Sequence, residues 1–440
     1  MESILCFYNA SQTYTNNVYE HLNAFSKYSK FRYFYCDHDS SQYVQLDLSR
    51  FDAIVVHYSI RLPFDQVSES LFNKLVEYKG LKVLYIQDEY DHTCKAWSLI
   101  RKMGFNLVFT VVPKHSISYV YPSDEFSDVR FVNILTGYVP DEGVGSMDTI
   151  PPSKRQMTVG YRGRSLPLRY GELGKDKVNI AKIVKEYCQS NNISHDIEWK
   201  EEKRIYGDDW YKFMFSCRAM LGTESGSNVF DWDGALEARI ADIRQYRPKA
   251  TDEEIYREVV KACEVPGVMN QISPRIFEAI SSRTALILYE GQYSGIICPG
   301  VHFIELKKDG SNLDEVFSLL KDGKYIDALT ERAYKDVILP GEYSYEAFVN
   351  KVDEEMKRLI RWQTPGLIPA AQNVQLDQTN KHISLLTMTP IRPRDILIMR
   401  INPNRYSCAI SEYIPEGIKK IIRPILRLLQ RRYSVGNQSV

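Results

Sequence analysis

Short, continuously apolar runs recur along this chain, and segments with helical spacing separate them. The first series of runs lies at residues 4–8, 31–36, 53–57, 82–87 and 107–112. A second series lies at residues 157–161, 219–222, 284–289 and 302–306. Strands that are apolar at every position are typical of parallel sheets covered by helices on both faces. The sequence therefore predicts an α/β fold with two Rossmann-like βαβ domains whose sheets face each other.

Two features divide the chain into regions. Adjacent prolines at Pro151 and Pro152 mark a linker between the two series. A long helix is predicted over residues 343–362, with Phe348 and Val352 on its apolar stripe. We predict a first domain, a second domain, a segment that contains the long helix and a tail, at residues 1–153, 154–340, 341–365 and 366–440.

Composition excludes several classes of protein. Lys and Arg together number 56, as do Asp and Glu, so the chain has no net charge. General nucleic-acid-binding proteins are normally basic, so nucleic acid is not an expected partner. The eight cysteines include no C-x-x-C pair, which indicates reduced thiols in the cytoplasm. We find no secretory signal and no apolar stretch of about 18 residues, and therefore expect a cytoplasmic protein without a membrane-spanning helix.

Acidic residues follow one of the predicted strands of the first domain. In open α/β sheets, ligands bind beyond the carboxyl ends of the strands. Asp88, Glu89 and Asp91 lie just after the fourth apolar run, and His57 ends the third. Each could remove a proton from a hydroxyl group and act as a catalytic base. The alternatives are that the carboxylates cap the next helix and that His57 is a satisfied, half-buried side chain.

Small residues and arginines follow the strands of the second domain. Arg162 and Gly163 end its first strand, where glycine lets the backbone approach a phosphate that the guanidinium can bind. The loop after the next strand contains Thr223, Glu224 and Ser225, whose N–H groups and hydroxyls could hold an anion. Arg164 flanks the same glycine on its other side, and the alternative is that both arginines are solvated.

The segment 273–279 combines several features of a phosphate site. Ser273 and Pro274 favour a helix that begins here, so its first N–H groups and positive dipole end can face an anion. Arg275 and Glu278 share one helix face. Arg275 could therefore meet a phosphate while Glu278 accepts hydrogen bonds from a ribose. The alternative is an ion pair between the two.

Two other segments bear on ligand binding. Tyr293 and Ser294 lie between glycines after the next strand, where the backbone can approach a ligand closely. Asp231 and Asp233 form a D-x-D triplet of the kind that can hold a divalent ion, but such triplets are frequent by chance. We therefore expect no metal ion.

A resemblance to the C-terminal domain of GT-B glycosyltransferases is carried by residues 273–279, 290–295, 299–300 and 307–313. The likeness is greatest to the bacterial surface-polysaccharide and spore-maturation-protein-like group. It implies that the second domain binds a nucleotide-sugar donor, that the first binds an acceptor, and that the long helix crosses back to the first domain. It also implies that Glu278 binds the ribose, and that Arg162, Arg275 and Ser294 contact the diphosphate.

One position departs from the pattern of the resembling enzymes. Many retaining members carry a glutamate eight positions before the ribose-binding one, but this chain has Asn270 there. An inverting enzyme would instead need a base from the first domain, while arginines and the helix dipole stabilise the leaving nucleoside diphosphate in place of a metal. The nucleotide-sugar is then a co-substrate, and no other cofactor is expected.

The resemblance predicts a glycosyltransferase of bacterial surface-polysaccharide or lipopolysaccharide synthesis. It would move a sugar from the nucleotide-sugar donor to a glycan acceptor that we expect to be lipid-linked. The alternatives are a nucleotide-sugar 2-epimerase and a non-catalytic scaffold that binds nucleotide-sugars.

The tail from residue 366 carries eleven basic and only four acidic residues. Over residues 413–433, basic and apolar side chains recur at helical spacing, with Pro424 inside the segment. A cationic amphipathic helix can lie on an anionic membrane, which would place the protein on the inner face of the plasma membrane. The alternative is that the apolar stripe packs on a domain or on a second subunit.

Overall fold

The structure, a computed structural model, describes residues 2–13, 15–141, 150–363 and 386–391. Its strands form two mainly parallel sheets, one in the first third of the chain and one in the middle. Helices alternate with the strands in both parts. The predicted α/β fold with two Rossmann-like domains is therefore confirmed. The predicted amphipathic segment at 413–433 lies outside the described residues.

The first sheet has seven strands. They are β1 (Ser3–Tyr8), β2 (Arg32–Asp37), β3 (Ala53–Val56), β4 (Leu81–Ile86), β5 (Leu107–Thr110), β6 (Arg130–Asn133) and β12 (Leu386–Thr387). Their order is β12-β2-β1-β3-β4-β5-β6, and every pair is parallel except β12 with β2. All residues of β1, β3, β4 and β5 are buried, which explains their continuous apolar sequences.

Four helices connect these strands. They are α1 (Asn16–Tyr28), α2 (Glu69–Glu77), α3 (Thr93–Met103) and α4 (Ile117–Val120). The buried side chains of α1 are His21, Leu22, Ala24 and Phe25, which recur at helical spacing and form one face.

The second sheet has five strands, all parallel. They are β7 (Met157–Arg162), β8 (His195–Glu198), β9 (Cys217–Gly222), β10 (Ala285–Tyr289) and β11 (Ile304–Leu306), in the order β11-β10-β9-β7-β8. Its helices are α5 (Gly171–Ser190), α6 (Asp208–Ser216), α7 (Ala235–Tyr246), α8 (Asp252–Ile255), α9 (Pro274–Ser281), α10 (Leu313–Lys321) and α11 (Gly323–Ala333).

A long helix then returns to the first domain. This helix, α12 (Tyr345–Gln363), corresponds to the one predicted over 343–362. Its Phe348 contacts the rings of His21, Phe25 and Tyr138. The helix therefore crosses back to the first domain, as the resemblance implied. None of the helices among the described residues is long and apolar enough to cross a membrane.

The two domains meet along a cleft. The Gln271 side-chain amide of the second domain donates to the Val111 carbonyl of the first. In the opposite sense, the Thr136 hydroxyl donates to the Ile272 carbonyl at 2.6 Å. Residues that follow β4, β5, β7 and β9 line this cleft, so the carboxyl ends of both sheets face each other across it. This is the position at which open α/β sheets bind ligands.

Candidate active site

A cavity of about 420 Å³ lies in the cleft between the domains. We call it the first cavity. Asp88 and Tyr90, which follow β4, and Val111, which follows β5, line it from the first domain. Arg164 and Thr223, which follow β7 and β9, line it from the second. Side chains from both sheets can therefore touch one ligand here.

Four cations of the second domain line the first cavity, and one of them, Arg204, is paired with Glu201 at 2.7 Å. Arg164, Lys177 and Arg275, which we call the cationic cluster, have no carboxylate partner within 4.0 Å among the described residues. The Lys177 ammonium donates only to the Ser225 hydroxyl at 3.3 Å and the Glu224 carbonyl at 3.4 Å. Three unneutralised cations in one cavity make a site for a multiply charged anion such as a diphosphate.

The charge of Lys177 depends on its surroundings. Burial lowers the pKa of Lys177 to about 8, and the positive charges of Arg275 and Arg164 contribute in the same direction. An anion in the cavity would reverse the effect of those charges and favour the protonated ammonium.

The N-terminus of α9 faces the same cavity. Ser273, Pro274 and Arg275 all line it. The Arg275 guanidinium stacks over the ring of Trp210 at 5.1 Å and donates to the Arg162 carbonyl. The local sequence positions this helix, because Ser273 is an extended N-cap residue and Pro274 occupies the first turn.

Asp88 is the only one of the four predicted bases in the lining of the first cavity. Its backbone has a φ of 57°, a left-handed conformation that is uncommon outside glycine and clusters at functional sites. Its side chain is 49% exposed and accepts a hydrogen bond from the Tyr90 hydroxyl at 2.6 Å. This carboxylate can therefore reach a ligand without breaking a buried contact.

Glu89 and Asp91 lie away from the cavity lining. Glu89 is 2% exposed and accepts hydrogen bonds from the Thr110 hydroxyl and, at 3.2 Å, from the Val111 N–H. Burial raises the pKa of Glu89 to about 8. Asp91 is 1% exposed and is held by Arg61, Arg169 and Tyr170 at the interface between the domains.

His57 is in the core of the first domain. It is fully buried, and its Nε2 lies 3.0 Å from His21 Nδ1, while its Nδ1 lies 3.0 Å from the Ser59 hydroxyl. Burial and the neighbouring His21 hold the pKa of His57 well below its usual value, so the ring is neutral. His57 does not line the first cavity. It matches the alternative interpretation of a buried histidine whose ring nitrogens have partners.

The structure places the predicted donor-binding residues in three environments. Gly163, Ser225 and Arg275 line the first cavity, and Thr223 lines both the first cavity and a neighbouring second cavity. Glu224 and Ser294 line the second cavity only. Arg162, Glu278 and Tyr293 line neither cavity.

Each residue of this last group has a partner in the protein. Arg162 forms a two-pronged ion pair with Asp196, with N–O distances of 2.7 and 2.9 Å. Glu278 accepts a hydrogen bond from the Trp210 indole at 2.8 Å, and burial raises its pKa. Tyr293 is fully buried and donates to a backbone carbonyl at 2.6 Å. Their predicted contacts with a donor would require these partners to be exchanged.

The second cavity has a volume of about 640 Å³ and adjoins the first at Thr223 and Gln271. The Glu224 carboxylate accepts hydrogen bonds from the Asn270 side-chain amide and from the Tyr293 N–H, the latter at 2.8 Å. The Tyr289 hydroxyl also belongs to this lining and is buried without a hydrogen-bond partner among the described residues. This cavity therefore offers both hydrogen-bond donors and hydrogen-bond acceptors to a polar ligand.

The described residues contain no cluster of three potential metal ligands from His, Cys, Asp and Glu. Asp231 of the D-x-D triplet is buried, and its carboxylate accepts the N–H groups of Leu236 and Glu237 at 3.1 and 3.0 Å. The Asp231 carboxylate therefore caps α7. The expectation that the chain needs no metal ion stays a prediction.

The sequence prediction chose Arg162 from the arginine pair around Gly163, and it did not single out Lys177. The turn after β7 directs only the second arginine of the pair, Arg164, to the cavity. Lys177 lies in α5, in a stretch that the sequence pattern did not assign to a helix. The arginine pair is a signal that could have found Arg164, whereas no local pattern marks Lys177.

Several solved structures are similar to this chain. An alpha-glucosyltransferase in complex with UDP and a 13-mer DNA containing an HMU base is 11% identical, with a TM-score of 0.46 over 81% of this chain and 99% of that one. T4 phage BGT in complex with its UDP-glucose substrate is 10% identical, with a TM-score of 0.41 over 82% of this chain and 98% of that one. The pneumococcal O-GlcNAc transferase GtfA in complex with UDP and GlcNAc is 12% identical, with a TM-score of 0.32 over 72% and 58%.

No protein family and no curated protein matches the chain. The assignment of the fold rests on the strand order of its two sheets.

Proposed function

We propose that this chain is a glycosyltransferase that moves a sugar from a nucleotide-sugar donor to an acceptor hydroxyl. The observation that carries the proposal is the first cavity, where the cationic cluster of the second domain faces the Asp88 carboxylate of the first. A cluster of cations suits the diphosphate of the donor, and a carboxylate across the cleft suits a base. An inverting sugar transfer uses both groups in one site.

The chemistry follows from these positions. Asp88 takes the proton of the acceptor hydroxyl, whose oxygen forms a bond to the anomeric carbon of the donor. The bond from that carbon to the phosphate oxygen breaks, and the leaving diphosphate gains negative charge. Arg164, Lys177 and Arg275 stabilise this charge, as does the N-terminus of α9. A single displacement of this kind inverts the anomeric configuration, which the proton NMR spectrum of the product would show.

The second cavity suits a neutral, hydroxylated group. Lys308 and Asp176 neutralise each other there at 2.6 Å. The Tyr289 phenol, which has no partner among the described residues, can then bind a hydroxyl, and the bonded pair of Glu224 and Asn270 can each make one further hydrogen bond. A sugar ring next to the diphosphate site would fit this lining. We propose a glycan as the acceptor.

The basic tail supports an acceptor that is carried on a lipid, because a cationic amphipathic segment would bring the enzyme to an anionic membrane. We accordingly propose a peripheral enzyme of surface-polysaccharide synthesis on the inner face of the plasma membrane.

The proposal is tested by thermal stability against UDP, GDP, CMP and dTDP and their sugar conjugates, with UDP-glucose as the first conjugate. A ligand that binds only the folded state raises the melting temperature. We expect one nucleotide family to raise it, and Arg164→Ala and Arg275→Ala to remove most of that rise. Arg244→Ala is the matched control, because Arg244 is exposed and pairs with Asp252 on the surface.

The outcomes separate the candidate functions. Binding followed by release of the nucleotide in the presence of an acceptor supports the transferase. Binding with conversion of the free nucleotide-sugar to its epimer supports a 2-epimerase, and binding without any turnover supports a scaffold. If no nucleotide raises the melting temperature, the assignment of the first cavity as a donor site is wrong.

A further inference from the structure

A buried carboxylate at the domain interface receives donors from both domains. Asp91 of the first domain is 1% exposed. From its own domain, the Arg61 guanidinium lies 3.1 Å from Asp91 Oδ2. From the second domain, the Tyr170 hydroxyl donates to Oδ2 at 2.7 Å and the Arg169 guanidinium lies 3.2 Å from Oδ1. We call these four residues the Asp91 cluster.

Arg61 connects this cluster to the first cavity. It lines the cavity, and the same guanidinium nitrogen that contacts Asp91 lies 3.6 Å from Asp88 Oδ2. Its guanidinium also stacks on the ring of Phe64 at 3.9 Å, which restricts its orientation. One arginine therefore lies between the proposed base and a carboxylate that the second domain binds.

Tyr90 makes a parallel connection. Its hydroxyl donates to Asp88 Oδ1, so the two oxygens of that carboxylate face Tyr90 and Arg61 respectively. The Tyr90 ring packs edge-on against the ring of Tyr170 at 5.1 Å, and its carbonyl accepts the Asp231 N–H at 2.9 Å. Both groups that orient Asp88 thus touch the second domain or a residue bound by it.

Asp88 needs such support because little else fixes it. Its side chain is half exposed and its backbone is in the left-handed region. An exposed carboxylate without partners samples several rotamers, which lowers the fraction of time that it spends in the orientation needed for proton transfer.

We propose that Arg61 is the positioning residue of the Asp88 carboxylate and that it holds this position only while Arg169 and Tyr170 of the second domain bind Asp91. The inference rests on the proposed function, since it takes Asp88 as the base. Without the second domain, Asp91 would keep only Arg61 as a charged partner. Both prongs of the guanidinium could then pair with Asp91, and the 3.6 Å contact with Asp88 would be lost. The base is then oriented only when the two domains are joined around the substrates.

The experiment compares Arg61→Gln, Arg169→Gln and Tyr170→Phe with the intact chain. Arg130→Gln is the control, because it breaks a two-pronged ion pair with Glu355 outside both cavities. Nucleotide release is measured from the nucleotide-sugar that the stability panel selects, UDP-glucose first, and kcat and KM are compared among the variants. Every variant keeps Tyr90, Glu89 and Tyr58, the other titratable groups around Asp88.

We expect Arg61→Gln to lower kcat by about tenfold to a hundredfold while the KM for the donor changes by less than about twofold. Arg61→Lys should restore part of the lost kcat, because lysine keeps a cation beside the carboxylate. Arg169→Gln and Tyr170→Phe should lower kcat by smaller amounts, also with little change in KM.

Three results would overturn the inference. If Arg61→Lys restores none of the kcat that Arg61→Gln loses, Arg61 does not act as a cation beside Asp88 and only stabilises the fold. If Arg169→Gln and Tyr170→Phe both behave like Arg130→Gln, the second domain has no part in orienting the base. If the intact chain binds no nucleotide-sugar, the proposed function fails first and the inference fails with it. Tyr170→Phe removes a single hydroxyl, so it keeps the test decisive if an arginine variant does not fold.

Discussion

At the scale of single residues, the two walls of the first cavity carry different groups. The cationic cluster Arg164, Lys177 and Arg275 comes from the second domain, and the half-exposed carboxylate Asp88 comes from the first together with Arg61. The first domain alone would lack the cations for a diphosphate, and the second alone would lack the proposed base. The proposed reaction therefore requires that the two sheets face each other.

Proton uptake by Lys177 gives a measure of anion binding in the first cavity. Its pKa is about 8 in the empty cavity, so about half of the ammonium groups are neutral at pH 8. A bound diphosphate raises that pKa, and we expect uptake of about half a proton when UDP, or whichever nucleotide the panel selects, binds at pH 8. Nucleotide affinity should accordingly fall as pH rises through 8. Calorimetry in buffers of different ionisation enthalpy measures the uptake.

Lys177→Arg is the control for this prediction. Arginine remains charged at pH 8, so this variant should bind the nucleotide and take up no proton. Equal uptake in both proteins would mean that another group gains the proton.

The residue scale also shows what local sequence can predict. The rule that ligands bind beyond the carboxyl ends of parallel strands predicts that Asp88 and the loops at Gly163 and Thr223 lie at the cleft, and the structure places them there. The rule could not tell which of Arg162 and Arg164 reaches the cavity, since that depends on how the turn after β7 leaves the sheet. It also could not show that His21 on α1 contacts His57, since that contact depends on tertiary packing.

At the scale of elements, the pattern found the buried strands and missed two polar ones. β6 and β8 are edge strands in which only Val132 and Ile197, respectively, are buried, so neither has an apolar run. α5 begins at Gly171, where glycine weakens the helical pattern. Gly171 is required there: its φ is 63°, and a Cβ would lie 2.0 Å from a Glu264 carboxylate oxygen.

Three elements meet at the buried histidine pair, and this predicts a pH dependence of stability. His21 on α1 contacts His57 after β3 and Phe348 on α12. Burial lowers the pKa of His21 to about 3, whereas an unfolded histidine has a pKa of about 6.5. The unfolded state therefore binds more protons below pH 6.5, and this contribution to the free energy of unfolding is present above pH 6.5 and lost as pH falls.

Each buried histidine should contribute a slope of about 1.4 kcal/mol per pH unit below pH 6. Urea unfolding at pH 6 and pH 5 should therefore show a smaller loss of stability in His21→Gln than in the intact chain, by about that amount. Glu89, whose raised pKa acts in the opposite direction, is present in both proteins and cancels in the comparison. Equal slopes would contradict a neutral His21 in the folded state.

At the scale of the whole molecule, charge is distributed unevenly along the chain. The tail from residue 366 has a surplus of seven positive charges, given its eleven basic and four acidic residues, while the chain as a whole is neutral. The preceding residues must carry an equal negative surplus. A negative body with a positive tail would orient on an anionic surface.

A chain that ends at residue 391 tests the role of the tail. It retains β12 and every residue that lines either cavity, so nucleotide binding should be unchanged. We expect the full chain to sediment with vesicles of anionic phospholipid at low salt, to be released as salt rises, and the shortened chain to stay in solution. Sedimentation of both chains to the same extent would contradict a membrane role for residues 392–440. If neither chain binds the vesicles, the alternative is favoured that the apolar stripe of the tail packs on a domain or on a second subunit.

The return of α12 and β12 to the first domain has a consequence for synthesis of the protein. The second domain is in effect an insertion in the first, because β6 ends at Asn133 and α12 begins at Tyr345. A ribosome needs on the order of 10 to 40 s to make the chain between these points. During that interval the nascent first domain exposes the apolar surface around Phe25 and Tyr138 and the free edge of β2. The second domain can fold completely before the first, so the order of completion is the reverse of the order of synthesis.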